Sequence, residues 1–149
     1  MNTNFLNSLT NFLKKRTFEL VGLCLIFLSL GLIISFITYS PEDPSFIYLS
    51  NKESVANILG LYGSSVSDFL LQSFGIVSFL FAITLICWGY RLLIDKELNK
   101  LIYKIFFLNL YVISGCTFIY LTFNTSYWLI DNGNSGFVGK IAFNFINNY

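Results

Sequence analysis

The chain has no histidine, only 11% charged residues and just two prolines among 149 residues. A soluble globular domain carries roughly 25% charged residues. The missing histidine removes imidazole acid-base chemistry and the commonest metal ligand. A net charge of +1 gives neither a basic face for nucleic acid nor an acidic tail. The three cysteines, Cys24, Cys87 and Cys116, all lie in apolar runs. There a thiol behaves as a small hydrophobe, and an odd, lipid-embedded set is no disulfide framework. No metal-ligand spacing occurs, and no cofactor is expected.

What the sequence has in abundance is apolar side chains, 55% of the total, with 19% aromatic. No charge falls between Glu19 and Glu42, and Leu20 to Tyr39 holds thirteen Leu, Ile, Val or Phe residues. At roughly 0.3 to 0.6 kcal/mol each, these favour insertion by about 4 to 8 kcal/mol, with no central charge to oppose it. A second uncharged run extends from Phe69 to Tyr90, and a third from Ile105, most apolar to Phe123. Each approaches or exceeds the ~20 residues that cross about 30 Å of hydrocarbon. Helices follow because an isolated segment in lipid must satisfy its own backbone hydrogen bonds. The fold class expected is therefore all-α integral membrane: three transmembrane helices, a short amphipathic extracytoplasmic helix and a partial C-terminal helix. The first span is too long for a cleaved signal and lacks a small-residue cleavage site, so it reads as a retained anchor.

The expected organisation is a cytoplasmic tail over 1–19, spans at 20–39, 69–90 and 105–123, an outer loop over 40–68, an inner loop over 91–104 and an outer C-terminal segment over 124–149. Orientation rests on cations. Lys14, Lys15, Arg16, Arg91, Lys96, Lys100 and Lys104 flank one side of the spans, and only Lys52 and Lys140 the other. The richer side is expected to be cytoplasmic. Trp88 and Tyr90 then belong to the inner aromatic belt, and Tyr39, Tyr127 and Trp128 to the outer one.

Both prolines sit in Ser40-Pro41-Glu42-Asp43-Pro44-Ser45, where they must stop the first helix. Ser50 to Glu53 has the form of a capping box. Val55, Ile58, Leu59, Tyr62, Val66 and Phe69 recur at helical spacing, which predicts an amphipathic helix broken near Gly60 and Gly63. Asp68 and Gln72 share a face at the mouth of the second span, where a carboxylate also suits a helix start. Gly31 with Ser35, and Ser78 with Ala82, are small-residue pairs that let helices approach. The segment from Asp131 begins with turn residues and continues with a helical pattern too short and polar to span. Gly133 to Ile141 fails as a phosphate loop, with Asn134 for the first glycine and Ile141 for the hydroxyl. With no ionisable residue inside a span, an ion relay is not indicated.

Several motifs in order resemble the N-terminal membrane region of the FtsK/SpoIIIE DNA translocases. They are Tyr39-Ser40-Pro41-Glu42-Asp43-Pro44-Ser45-Phe46, Asn57-Ile58-Leu59-Gly60-Leu61-Tyr62-Gly63, Ser67-Asp68-Phe69-Leu70-Leu71-Gln72-Ser73-Phe74-Gly75 and Trp88-Gly89-Tyr90-Arg91. Ser67 stands where the family has alanine. Ser135-Gly136-Phe137-Val138-Gly139 is similar to the family's element ahead of its fourth helix, with serine for the first glycine. The resemblance covers about residues 15 to 145. It implies a non-catalytic anchor and interaction module in the bacterial inner membrane at the division septum. The implied partners are membrane lipid, other division proteins and further copies of itself, without direct nucleic-acid binding. Pro41, Glu42, Asp43, Pro44, Gly60, Gly63, Asp68, Gly75, Trp88, Gly89 and Arg91 become candidate interaction or structural residues. The family's ATPase is not in this sequence, which is expected to be a truncated, split or engineered fragment. A small transporter or channel subunit is the alternative that the three-span layout leaves open.

Overall fold

The computed structural model describes residues 3–46, 48, 54–97, 100–125, 129 and 132–148. The capping box at Ser50 to Glu53 and the belt residues Tyr127 and Trp128 lie outside them. The described residues form five helices and no strand: α1 (Thr3–Ile37), α2 (Gly60–Phe74), α3 (Val77–Asp95), α4 (Leu101–Phe123) and α5 (Gly136–Asn147). Three of these, α1, α3 and α4, are long and apolar enough to cross a membrane.

The α1 helix is 35 residues long, or about 52 Å at 1.5 Å per residue. That exceeds the hydrocarbon by several turns. The segment before Leu20 is thus a continuation of the first helix rather than a separate tail. It ends at Ile37, four residues before Pro41.

The second apolar run is divided differently from the sequence expectation. Residues 69–74 belong to α2, and the membrane-crossing helix begins at Val77. Gly75 separates the two with φ +59°, and its N–H bonds to the Leu71 carbonyl at 2.8 Å. Glycine adopts this left-handed conformation without a Cβ penalty. Gly60, also at positive φ, opens α2, and Gly63 lies inside it without interrupting it. The break therefore falls at Gly75, not near Gly60 and Gly63. Upstream, residues 55 to 57 are irregular and 58–59 form a turn, rather than the predicted helix.

Packing is closest between α1 and α3. Near one end Gly22 lies against Gly89. A Cβ on Gly22 would stand 2.7 Å from the Gly89 carbonyl oxygen, and one on Gly89 would stand 2.6 Å from that of Gly22. At mid-helix the buried Ser29 hydroxyl donates to the Ala82 carbonyl. At the other end Phe36 meets Phe79 edge-on, with centroids 5.2 Å apart. The order of these contacts makes the helices antiparallel. Gly31, by contrast, has only a Leu59 side-chain atom 3.9 Å from an added Cβ, so of the Gly31 and Ser35 pair only Ser35, whose hydroxyl bonds the Gly63 carbonyl of α2, makes a close approach.

Two small buried clusters hold the assembly. Phe36, Tyr39, Leu71, Ala82 and Leu129 form one, and Val77, Val112 and Cys116 the other. Most remaining apolar side chains point outward, among them Phe27, Phe118 and Ile102 at 65%, 63% and 82% exposed. In water such a surface would aggregate, whereas in lipid it meets a solvent as apolar as itself. The α5 helix returns along α4, with Gly139 against the Cys116 carbonyl and Tyr120 stacked on Phe143 at 4.9 Å. Gly139 and Lys140 lie within α5.

Candidate interaction site

The proline-flanked turn and α2 meet at the end of the bundle where α1 stops, and their polar residues interlock. Asp43 is 3% exposed. Its Oδ1 accepts the Ala56 N–H at 3.0 Å and its Oδ2 the Asn57 N–H at 2.9 Å. Those two amides lie in a turn with no helical partners, so one carboxylate satisfies both at the strength of charge-assisted bonds. Asn57 is also 3% exposed. Its side-chain amide donates to the Ser35 carbonyl at 2.9 Å, and its Oδ1 accepts the Leu59 N–H at 3.1 Å. The Ser35 hydroxyl donates to the Gly63 carbonyl at 2.6 Å, and the Ser64 hydroxyl to that of Pro44, also at 2.6 Å. A Cβ on Gly63 would collide with the Asn57 side chain. Glycine is required there because another chain segment occupies the space.

A second set of bonds centres on Asp68. Its Oδ1 accepts the Tyr39 hydroxyl at 3.0 Å and its Oδ2 the Ser45 hydroxyl at 2.8 Å. Gln72 donates to the Tyr39 oxygen at 3.4 Å and accepts from the Asn132 amide at 2.8 Å. One connected network thus joins the end of α1, the turn, α2 and the segment after α4. Asp68 stands eight residues into α2, so its role is not that of a carboxylate at a helix start. Tyr39 is buried at 7% exposure and turns its hydroxyl to this network. Gln72 links helices, whereas Asn109 donates to the Ile105 carbonyl of its own helix at 2.9 Å.

Below the network, the Gly75 break fits against the turn preceding α5. The Ile76 N–H donates to the Asn134 carbonyl at 2.9 Å, and a Cβ on Gly75 would overlap that same group. Gly136, at φ +64°, stands in the same way against the Ser73 carbonyl. Ser135 is fully buried and donates to Asn124 Oδ1 at 2.8 Å, so serine in this element has a specific partner.

The candidate residues therefore separate into three groups. Asp43, Gly63, Asp68 and Gly75 are internal staples at one end. Pro41 and Glu42 lie at the surface beside them, with Gly60 and Pro44 partly buried and the Pro44 carbonyl bonded to Ser64. Trp88, Gly89 and Arg91 lie at the opposite end, where Gly89 sets the α1–α3 crossing. Sequence reasoning missed Gly22, Ser29 and Asn57. Asn57 had a visible signal, being an amide two residues before Leu59-Gly60, but its acceptor, the Ser35 carbonyl, is distant in sequence.

At that opposite end Glu19 pairs with both Arg16 and Lys96. This ion pair ties the N-terminal half of α1 to the α3–α4 connection, so the seven cations flanking the spans on that side share one end of the bundle. Among the described residues no group of three or more Cys, Asp or Glu side chains could hold a metal.

Apolar helices crossing a bilayer, a polar cap at one end and a cationic collar at the other define a multi-pass α-helical membrane protein. Comparison with known families then narrows the class. The model of the 4TM region of DNA translocase FtsK/SpoIIIE matches residues 14–149, and the chain belongs to that family. Among similar proteins, the DNA translocase FtsK of Rickettsia prowazekii is 31% identical over 118 residues, which cover 79% of this chain and 15% of that protein. The DNA translocase FtsK of Azospirillum brasilense is 29% identical over 94 residues, 62% of this chain and 15% of that protein. That of Bradyrhizobium diazoefficiens is 26% identical over 127 residues, 85% of this chain and 15% of that protein. The chain thus spans about 15% of the length of these relatives. The matched part is their transmembrane region and not the ATPase motor. No solved structure gives a significant match.

Proposed function

We propose that this chain is the membrane anchor and interaction module of a DNA translocase that acts at the bacterial division septum. It lies in the inner membrane with its N-terminus and the α3–α4 connection in the cytoplasm, and it assembles with other division proteins and with copies of itself. The observation that carries this reading is the family match across residues 14–149 together with a cap whose polar residues are turned inward. Asp43 and Asp68 spend their carboxylates on internal bonds. Glu42, Phe46 and Tyr62 lie on the outer surface, with Phe46 73% and Tyr62 76% exposed. A partner would read those exposed side chains, and the staples would hold them in place.

The test is an N-terminal fluorescent fusion expressed in dividing rod-shaped bacteria. A band at mid-cell that depends on Glu42, Phe46 and Tyr62 is expected. A uniform membrane signal from a correctly inserted protein would overturn the septal role. The transporter alternative makes its own forecast, solute flux in liposomes, for which an anchor gives none.

A further inference from the structure

At the cationic end, α3 and α4 diverge around a cleft of about 580 Å³. Its rim carries Arg91, Lys100 and Lys104 against the one carboxylate of Asp95, and its walls include Trp88 and Tyr103, with Phe107 a turn deeper. The cations at this end are not equivalent. Arg16 and Lys96 are both bound to Glu19, whereas no ion pair among the described residues engages Arg91, Lys100 or Lys104. Three like charges around one concavity repel one another, and a bound anion would relieve that repulsion.

The geometry points to a binding site for the headgroup of an anionic glycerophospholipid, its phosphate held by Arg91, Lys100 and Lys104. Two features select a lipid over a free anion. Trp88 and Tyr103 have the amphipathic character that places aromatic rings at headgroup level. Tyr103 and Phe107 are also 64% and 62% exposed, so the wall below the cations continues onto the surface that meets lipid tails. Basic clefts between membrane helices are suited to such headgroups, and each nearby Lys or Arg adds about 1 kcal/mol, or roughly fivefold in affinity. The inference rests on the membrane-spanning fold and is independent of any septal role.

The test uses the whole chain carrying Trp128→Phe, so that Trp88 is the sole tryptophan. It is reconstituted in phosphatidylcholine nanodiscs containing a small fraction of brominated lipid. Brominated phosphatidylglycerol is expected to quench Trp88 more strongly than brominated phosphatidylcholine at the same mole fraction. Lys104→Gln should lower that preference about fivefold, and Arg91→Gln with Lys104→Gln further. Lys14→Gln with Lys15→Gln, which removes two charges outside the cleft, should leave it intact. Equal quenching by the two lipids in the chain with native cations would overturn the proposal without reliance on any charge variant. So would an equal loss in the Lys14 and Lys15 variant. If millimolar glycerol 1-phosphate abolishes the preference, the site takes a free phosphate monoester and the lipid assignment fails.

Discussion

Gly22 and Gly89 meet backbone to backbone across the α1–α3 crossing, each filling the place where the other's Cβ would stand. In lipid, helix association has no hydrophobic drive and depends on contact distance, so this pair sets how closely the two spans can pack.

Gly22→Ala and Gly89→Ala should each destabilise the folded chain by about 1 to 3 kcal/mol, the usual cost of overpacking. Gly31→Ala, where the nearest atom is a side-chain carbon at 3.9 Å, should stay within about 0.5 kcal/mol. Thermal unfolding in mild detergent separates the cases. An equal effect at all three glycines would count against the crossing.

Asp43→Ala leaves the Ala56 and Asn57 amides without their acceptor. A buried unsatisfied donor costs about 1 to 3 kcal/mol. Asp43→Asn keeps one acceptor oxygen and should lose less. Limited proteolysis between residues 44 and 58 reports the loosening directly, and the alanine variant should be cut fastest.

The Tyr39 to Asp68 bond invites a double-mutant cycle with Tyr39→Phe and Asp68→Ala. A coupling of about 0.5 to 1.5 kcal/mol is expected for a direct hydrogen bond. If partner recruitment falls with Asp68→Ala, it should fall in proportion to this lost stability. Recruitment lost at full stability would instead show that Asp68 is read by the partner.

Orientation can be settled by reporter fusions. A fusion at Lys96 should give a cytoplasmic signal and one at Asn51 an external signal, because cations are retained on the cytoplasmic face. The structure adds a constraint: Glu19 bonds Lys96, so the N-terminal end of the first span must report on the same side as Lys96.

The helix stop at Pro41 and the three spans were legible in the residues alone. The N-terminal boundary of the second span was not. The uncharged run begins at Phe69, but the helix break falls at Gly75 and Ile76. Hydropathy carries no trace of it, because the break rests on the positive φ of Gly75 and on the Asn134 carbonyl, from another part of the chain, that accepts the Ile76 N–H. Asp68 was similarly ambiguous. A carboxylate beside an apolar run suits a helix start or an exposed contact, and only the Tyr39 and Ser45 hydroxyls resolve it.

By itself the sequence determined that this chain enters a membrane, how many helices are long enough to cross it and which ends share their charge. Those properties are sums over neighbouring residues, transfer free energies and local charge, and need no knowledge of the fold. Only the tertiary structure decided that Asp43 and Asp68 are internal staples, that Gly22 and Gly89 set the helix crossing and that Arg91, Lys100 and Lys104 surround one cleft. Each depends on groups far apart in the chain meeting within a few ångströms. In an apolar medium such meetings follow from close packing and hydrogen-bond satisfaction, which no single segment encodes.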